Sequence, residues 1–200
     1  MTETNKPRIM RTTIFSTPVL TPLLRAIATA ILKLTGWRHV GITPGKQHFV
    51  LIGAPHTSNW DFPLMLLAVL MLRLRLNWMG KNSLFRFPFG GLMRWLGGIP
   101  IDRSRSHNMV EQIAQMYRDT DELVILIPPE GTRKKVEHWK TGFYHIANLA
   151  NVPILMGYLD VPSKSIGLAD FFHPTGDIEK DMIRIRQFYA NKTGIRPENA

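Results

Sequence analysis

The chain has 200 residues, of which 44% are hydrophobic, and it contains no cysteine. This fits one globular domain with a sizeable core, and it excludes a thiol nucleophile, a thiolate metal site and a disulfide framework. The formal net charge of +10 is concentrated in residues 1–110, which hold 14 basic and 3 acidic side chains. A basic half favours an anionic partner, such as nucleic acid, an acidic membrane surface, an acidic carrier protein or a phosphorylated substrate, although it also fits a surface tuned for solubility.

The N-terminal region combines a polar tail, residues 1–16, with an apolar segment, residues 17–36. The tail lacks the layout of a secretory signal. The apolar segment is interrupted by Pro18, Pro22, Arg25 and Lys33, whereas a spanning helix needs about 20 predominantly apolar residues. The pattern therefore predicts either a helix that lies in a membrane interface or a helix packed at the edge of the core.

Residues 37–192 are predicted to form the main domain. Strands are expected at 48–53, 76–79, 98–101, 123–127 and 153–159, and helices at 59–72, 106–117, 141–149 and 178–189, with a loop and short helix within 85–96. Residues 193–200 are predicted to be a loose tail. The alternation predicts an α/β fold with a mixed, largely buried sheet flanked by helices, preceded by the N-terminal interfacial helix.

The sharpest motif is PHTSNWD, residues 55–61, which follows the predicted strand at 48–53. His56 would lie in the turn and Asp61 in the first turn of the next helix, a placement that Pro63 favours because proline is tolerated at a helix start. Asp61 could then accept a hydrogen bond from one imidazole nitrogen and leave the other as a base. The alternative is a helix-capping histidine beside an aspartate that complements the helix dipole. Taken alone, this spacing favours the alternative.

Three further blocks accompany this motif: GIPIDR at 98–103, IPPEGTR at 127–133 and VPI at 152–154, with KNSLF at 81–85 and WKTGF at 139–143 between them. Their order and spacing resemble the glycerophospholipid acyltransferase family, which includes the 1-acylglycerol-3-phosphate acyltransferases. The resemblance extends from about residue 51 to residue 159.

This resemblance implies an O-acyltransferase that moves a fatty acyl chain from a thioester to a hydroxyl of a lysophosphatidate-like glycerolipid. His56 would be the general base, and Asp61 would orient it. Arg103 would bind the anionic head of the acceptor, and further acceptor-binding residues would be Glu130, Gly131, Thr132 and Arg133. Lys81 is another candidate for an anionic group, but a lysine of this kind more often extends along the surface with its charge in water. Two departures from the common family pattern, Pro55 before the histidine and Lys134 after Arg133, leave the acceptor head group open.

The donor is expected to be acyl-coenzyme A or acyl-acyl carrier protein, with no cofactor, because a thioester is already activated. The histidines are scattered without metal-ligand spacing, so no metal is expected. We expect membrane lipids as partners and a peripheral or monotopic location on the cytoplasmic face of the inner membrane. No nucleic-acid motif is present. The alternative remains a catalytically silent basic protein that binds lipid or nucleic acid.

Overall fold

The structure is a computed structural model that describes residues 12–101 and 106–199. Within these residues the helices are α1 (Leu20–Leu34), α2 (Asp61–Met71), α3 (Gly90–Trp95), α4 (Ser106–Arg118), α5 (Gly142–Ala150) and α6 (Ile178–Tyr189). The strands are β1 (Arg38–Gly41), β2 (His48–Gly53), β3 (Leu76–Lys81), β4 (Gly98–Ile101), β5 (Leu123–Ile127), β6 (Ile154–Asp160) and β7 (Ser165–Phe172). Short 3-10 helices lie at Asn82–Phe85 and Pro197–Asn199.

The strands form one sheet in the order β1-β7-β6-β2-β5-β3-β4. All neighbouring strands are parallel except β6 and β7, which pair antiparallel. The carboxyl ends of β2, β5, β3, β4 and β6 therefore lie along the same edge of the sheet. Open α/β sheets place their reactive groups at this edge, and the loops after β2 and β5 are neighbours there.

Helices cover both faces of the sheet. Side chains alternate along β2, so that Val50 and Ile52 pack with α4, α5 and α6, whereas Phe49 and Leu51 pack with α1 and α2. This alternation follows from the two-residue side-chain period of a strand buried on both faces. The predicted mixed sheet flanked by helices is confirmed.

The first helix, α1, belongs to the core on one side and is exposed on another. Ala28 and Leu32 are buried against the sheet layer, whereas Leu23, Ile27 and Ile31 are more than 40% exposed on an adjacent face. One face of α1 is thus packed on the core, as one interpretation of the segment 17–36 required, whereas its location in a membrane interface stays a prediction. Each helix in the described part of the chain is too short or too polar to cross a membrane.

Some predicted elements match closely and others were missed. Helix α6 has the predicted bounds, and β5 does too. The sequence analysis missed β1 and β7, because β1 is a short, exposed strand (RHVG) and β7 carries Gly167 and Asp170 within its apolar run. The prediction of a loose tail at residues 193–200 was wrong for residues 193–199. Thr193, Arg196 and Asn199 form hydrogen bonds to the rest of the domain. Sequence spacing does not reveal the groups that they bind.

Candidate active site

His56 and Asp61 meet as the sequence predicted, in the turn between β2 and α2. His56 lies three residues after the end of β2, and Asp61 is the first residue of α2. The Nδ1 atom of His56 is 3.0 Å from Oδ2 of Asp61. The imidazole side chain is 29% exposed, and that of Asp61 is only 11% exposed. The pair therefore has a sheltered carboxylate and an imidazole that a substrate can reach.

The hydrogen bond between these side chains fixes the protonation pattern of the imidazole. An ionised carboxylate only accepts hydrogen bonds, so Nδ1 of a neutral His56 must carry the hydrogen. Nε2 is then the basic nitrogen. In the described part of the chain, which leaves out the side chains of residues 106–108, no group forms a hydrogen bond with Nε2. The geometry can thus support proton abstraction by Nε2.

The backbone of the turn is held by the same carboxylate. Oδ2 of Asp61 accepts the N–H of Thr57 at 2.7 Å and that of Ser58 at 2.8 Å. The Oγ of Ser58 accepts the N–H of Trp60 at 3.2 Å. These contacts hold the backbone of the turn that precedes α2, and the N-cap residue of the helix, Trp60, makes no side-chain cap hydrogen bond. Asp61 contacts the imidazole and, as the first residue of α2, also lies where a carboxylate complements the helix dipole.

Glu130 lies beside His56, although the two residues are 74 positions apart in sequence. Both oxygens of its carboxylate are 3.1 Å from the backbone nitrogen of His56, which donates to them. Glu130 is 8% exposed, and burial raises the pKa of its carboxyl group, against the opposing effect of the His56 N–H. The loop after β5 therefore supports the loop after β2 through a carboxylate-to-amide contact.

The other predicted site residues that the structure describes lie along the same edge of the sheet. Lys81 ends β3 and is exposed, and Thr132 and Arg133 are exposed in the loop after β5. Gly131 makes the turn in this loop: its φ of 67° lies in the left-handed region that glycine tolerates best, and its N–H donates to Pro128 O at 3.1 Å. Arg103 follows β4 in sequence but lies outside the described residues. The acceptor-binding roles of these residues stay predictions.

Sequence analysis missed a second set of contacts to the turn. The Oγ1 of Thr57 accepts the backbone N–H of Arg196, and the carbonyl of Thr57 accepts from Nδ2 of Asn199. The partners lie 139 and 142 residues away in sequence, beyond the reach of motif spacing. No group of three or more His, Asp or Glu side chains suited to a metal ion occurs in the described part of the chain.

The chain belongs to the Acyltransferase family, whose family model matches residues 38–158. This range contains His56, Asp61 and Glu130. The family predicted from the sequence motifs is therefore confirmed.

Two curated relatives are 1-acyl-sn-glycerol-3-phosphate acyltransferases. The chain is 36% identical to that of Haemophilus influenzae over 107 residues, and 31% identical to that of Escherichia coli over 122 residues. These matches cover 50% and 58% of this chain, and 43% and 48% of the relatives. The matched part of the chain thus spans about half the length of these relatives.

A solved structure, the 1-acyl-sn-glycerophosphate acyltransferase PlsC from Thermotoga maritima, shares the fold. The TM-score is 0.56, with 16% sequence identity, and the match covers 88% of this chain and 82% of that one. The likeness therefore covers more of the chain than the range of the family model.

Proposed function

We propose that the protein transfers a fatty acyl chain from a thioester donor to the free hydroxyl of a 1-acylglycerol-3-phosphate-like acceptor. The observation that carries this proposal is the contact of 3.0 Å between Nδ1 of His56 and Oδ2 of Asp61, within the segment that the family model matches. The class of acceptor is supported by the two relatives described above, which are 1-acyl-sn-glycerol-3-phosphate acyltransferases.

In this reaction, Nε2 of His56 takes the proton of the acceptor hydroxyl as the oxygen attacks the thioester carbonyl carbon. The resulting tetrahedral species collapses, the carbon–sulfur bond breaks, and the new ester is released. The leaving thiolate takes the proton back from Nε2, so His56 returns to its starting state. General base catalysis of this kind contributes typically about 10²–10⁴-fold in rate.

Asp61 has two functions in this mechanism. It holds the imidazole in the tautomer with Nδ1 protonated, and its charge stabilises the imidazolium that forms when Nε2 accepts the proton. Glu130 acts one step further from the reaction, because it contacts the backbone nitrogen of His56 rather than the ring. We assign it a positioning role in addition to the acceptor-binding role that the family resemblance implies.

Positive charge along the same edge would bind the acceptor phosphate. Lys81 and Arg133 are exposed there, and Arg103 follows β4 in sequence. A guanidinium group suits a phosphate because it can donate two parallel hydrogen bonds. The donor, acyl-coenzyme A or acyl-acyl carrier protein, is itself anionic, so the basic first half of the chain would also attract it.

Two exposed apolar surfaces support peripheral binding to a membrane. The first lies on α1 and comprises side chains three or four residues apart: Leu20, Leu23, Ile27, Ile31 and Leu34. The second lies around α3, where Phe87 is 97% exposed and Phe89 is 63% exposed. Exposed apolar patches with basic neighbours are typical of surfaces that bind a lipid interface.

A cationic groove runs along another face of α1. It is lined by Pro22, Arg25, Ala26, Thr29, Ala30, Lys33, Met71 and Arg73 and has a volume of about 720 Å³. Burial, followed by the charges of Arg73 and Arg75, lowers the pKa of Arg25. The groove holds three cations, Arg25, Lys33 and Arg73. Their charges repel one another and attract anions, which supports binding to an anionic lipid surface.

The test is acyl transfer from labelled acyl-coenzyme A and acyl carrier protein thioesters to a panel of lysolipids. The parent protein should acylate 1-acylglycerol-3-phosphate or a near relative, and His56→Ala should lose at least about 10²-fold in kcat while remaining folded. Transfer to no acceptor by the parent, with vesicle binding intact, would instead favour a lipid-binding protein without catalytic activity.

A further inference from the structure

We propose that the segment after α6, residues 193–199, is a clamp that positions the catalytic turn by binding Thr57. The proposal rests on the proposed function, because it concerns the same turn that carries His56. The clamp lies outside residues 38–158, the range that the family model matches. Its partner Thr57, in contrast, lies inside that range.

Thr57 is the residue on which the contacts converge. It is 2% exposed, and its N–H donates to Asp61 at 2.7 Å. Its Oγ1 accepts the backbone N–H of Arg196 at 3.1 Å, and its carbonyl oxygen accepts from Nδ2 of Asn199 at 3.2 Å. The side chain and both backbone polar groups of the residue next to His56 are thus all engaged.

Close packing accompanies these hydrogen bonds. A Cβ atom added to Gly194 would lie 2.6 Å from Oγ1 of Thr57 and 3.2 Å from Cγ of Pro55. The first distance is too short for a Cβ atom and the second is tight, so glycine allows the backbone of the segment to lie directly against the turn. The segment contacts the residues on both sides of His56.

Thr193, the first residue of the clamp, is hydrogen-bonded to the end of β6. The N–H of Thr193 donates to Oδ1 of Asp160, the last residue of β6, at 2.9 Å. The N–H of Val161 donates to the carbonyl of Thr193 at 3.0 Å. Just before the segment, the hydroxyl of Tyr189 lies 3.1 Å from the carbonyl oxygens of Ile52 and Gly157. The clamp therefore connects the turn to the carboxyl end of β6.

The clamp and Glu130 bind different residues of the turn. Glu130 holds the N–H of His56 itself, whereas the clamp holds the following residue. Rate acceleration by a positioned base is sensitive to displacements of about 1 Å. Release of the clamp should therefore slow the chemical step while leaving substrate binding largely unchanged.

The main test variant is Asn199→Asp, which has nearly the same shape but places an oxygen against the Thr57 carbonyl. Its matched control is Asn191→Asp, the same chemical change at an exposed position of the same region. A second pair is Thr57→Val, which removes the acceptor oxygen, and Thr57→Ser, which keeps it. If Asn199→Asp does not fold, the two Thr57 variants still test the contact between the clamp and the turn.

Two measurements are needed, and only one depends on activity. Hydrogen exchange should be about fivefold faster at the amides of His56, Thr57 and Ser58 in Asn199→Asp, since one local hydrogen bond is lost. The value of kcat should fall about tenfold with KM within about twofold. Asn191→Asp should match the parent in both, and Thr57→Ser should recover most of the kcat that Thr57→Val loses.

Parent-like exchange in Asn199→Asp and Thr57→Val would overturn the clamp. Faster exchange with unchanged kcat in an active protein would overturn its positioning role and leave only a structural one. If the parent itself transfers no acyl group, the proposed function fails, whereas the exchange measurement still decides whether the segment holds the turn.

Discussion

Asp61 and His56 are joined through one oxygen atom that also shapes the backbone. Oδ2 of Asp61 lies 3.0 Å from Nδ1 of His56, and the same atom accepts the N–H groups of Thr57 and Ser58. Any change in the position of this oxygen moves the turn and the imidazole together. The chemical and structural contributions of Asp61 are therefore tightly linked.

Asp61→Asn is expected to lower kcat by about 10²–10⁴-fold. The amide can accept from only one of its two ends, and it carries no charge to stabilise the imidazolium. The measurement is kcat for the acceptor that the parent acylates. The double variant His56→Ala/Asp61→Asn should be no slower than His56→Ala alone, because residues that act as a unit are not additive. A kcat within about threefold of the parent would contradict the role of Asp61.

Glu130→Gln is expected to change how stability depends on pH. Burial raises the pKa of Glu130 above its ordinary value of 4.5, so the folded state binds the proton more tightly than the unfolded state. The contribution of Glu130 is fully present below about pH 4.5 and is lost as the pH rises through the raised value. Glutamine does not titrate.

The free energy of unfolding of the parent, minus that of Glu130→Gln, should thus fall as the pH rises above the ordinary pKa of 4.5. Urea unfolding at a series of pH values measures this difference. A difference that rises with pH would show that the charged carboxylate is favoured in the fold.

Ile27→Gln/Ile31→Gln is expected to weaken vesicle binding by about ten- to thirtyfold. Both side chains lie on the exposed apolar face of α1, at 45% and 41% exposure, and insertion of this area into a membrane interface would be lost. Sedimentation with lipid vesicles measures the partition coefficient. The control is Ile183→Gln on α6, which is 57% exposed. An equal loss in the control would show that α1 has no special part in binding.

Arg25→Gln/Arg73→Gln is expected to weaken binding to anionic vesicles by about tenfold or more, and to leave binding to zwitterionic vesicles nearly unchanged. Each cation near an anionic surface contributes about 1 kcal/mol. Titration with vesicles of both compositions separates this effect from apolar insertion. The charge-matched control is Arg184→Gln/Arg186→Gln on α6. Equal weakening by both pairs would indicate attraction by net charge alone.

Local patterns predicted the parts of the structure that depend on nearby residues. Helix α6 was predicted with its observed bounds because its apolar residues recur at helical spacing. The contact between His56 and Asp61 was predicted only because further motifs accompany it, since the spacing of five positions alone favours a helix-capping histidine. The bounds of α6 thus depend on nearby residues, whereas the prediction of the site depended on motifs spread over residues 51–159.

The remaining contacts of the site arise from the way distant segments meet. Nothing in the sequence around Glu130 indicates that its carboxylate binds the backbone of His56, since a backbone N–H has no sequence signature. The contact between Asn199 and the carbonyl of Thr57 also has no sequence signature, because the acceptor is a backbone group. A polar segment at 193–199 predicts a loose tail on composition alone, and only the arrangement of β6 and the catalytic turn gives its amide groups partners.

The long-range bonds to the catalytic turn have a consequence for how the protein acquires its site. The turn at residues 55–61 is completed by groups 74, 139 and 142 positions further along the chain. Contacts of such high sequence separation form late in folding, because the loop entropy must be overcome first. During synthesis, the turn would stay incomplete until residue 199 had been added. A nascent chain that carries the turn without this segment should therefore hold His56 less firmly.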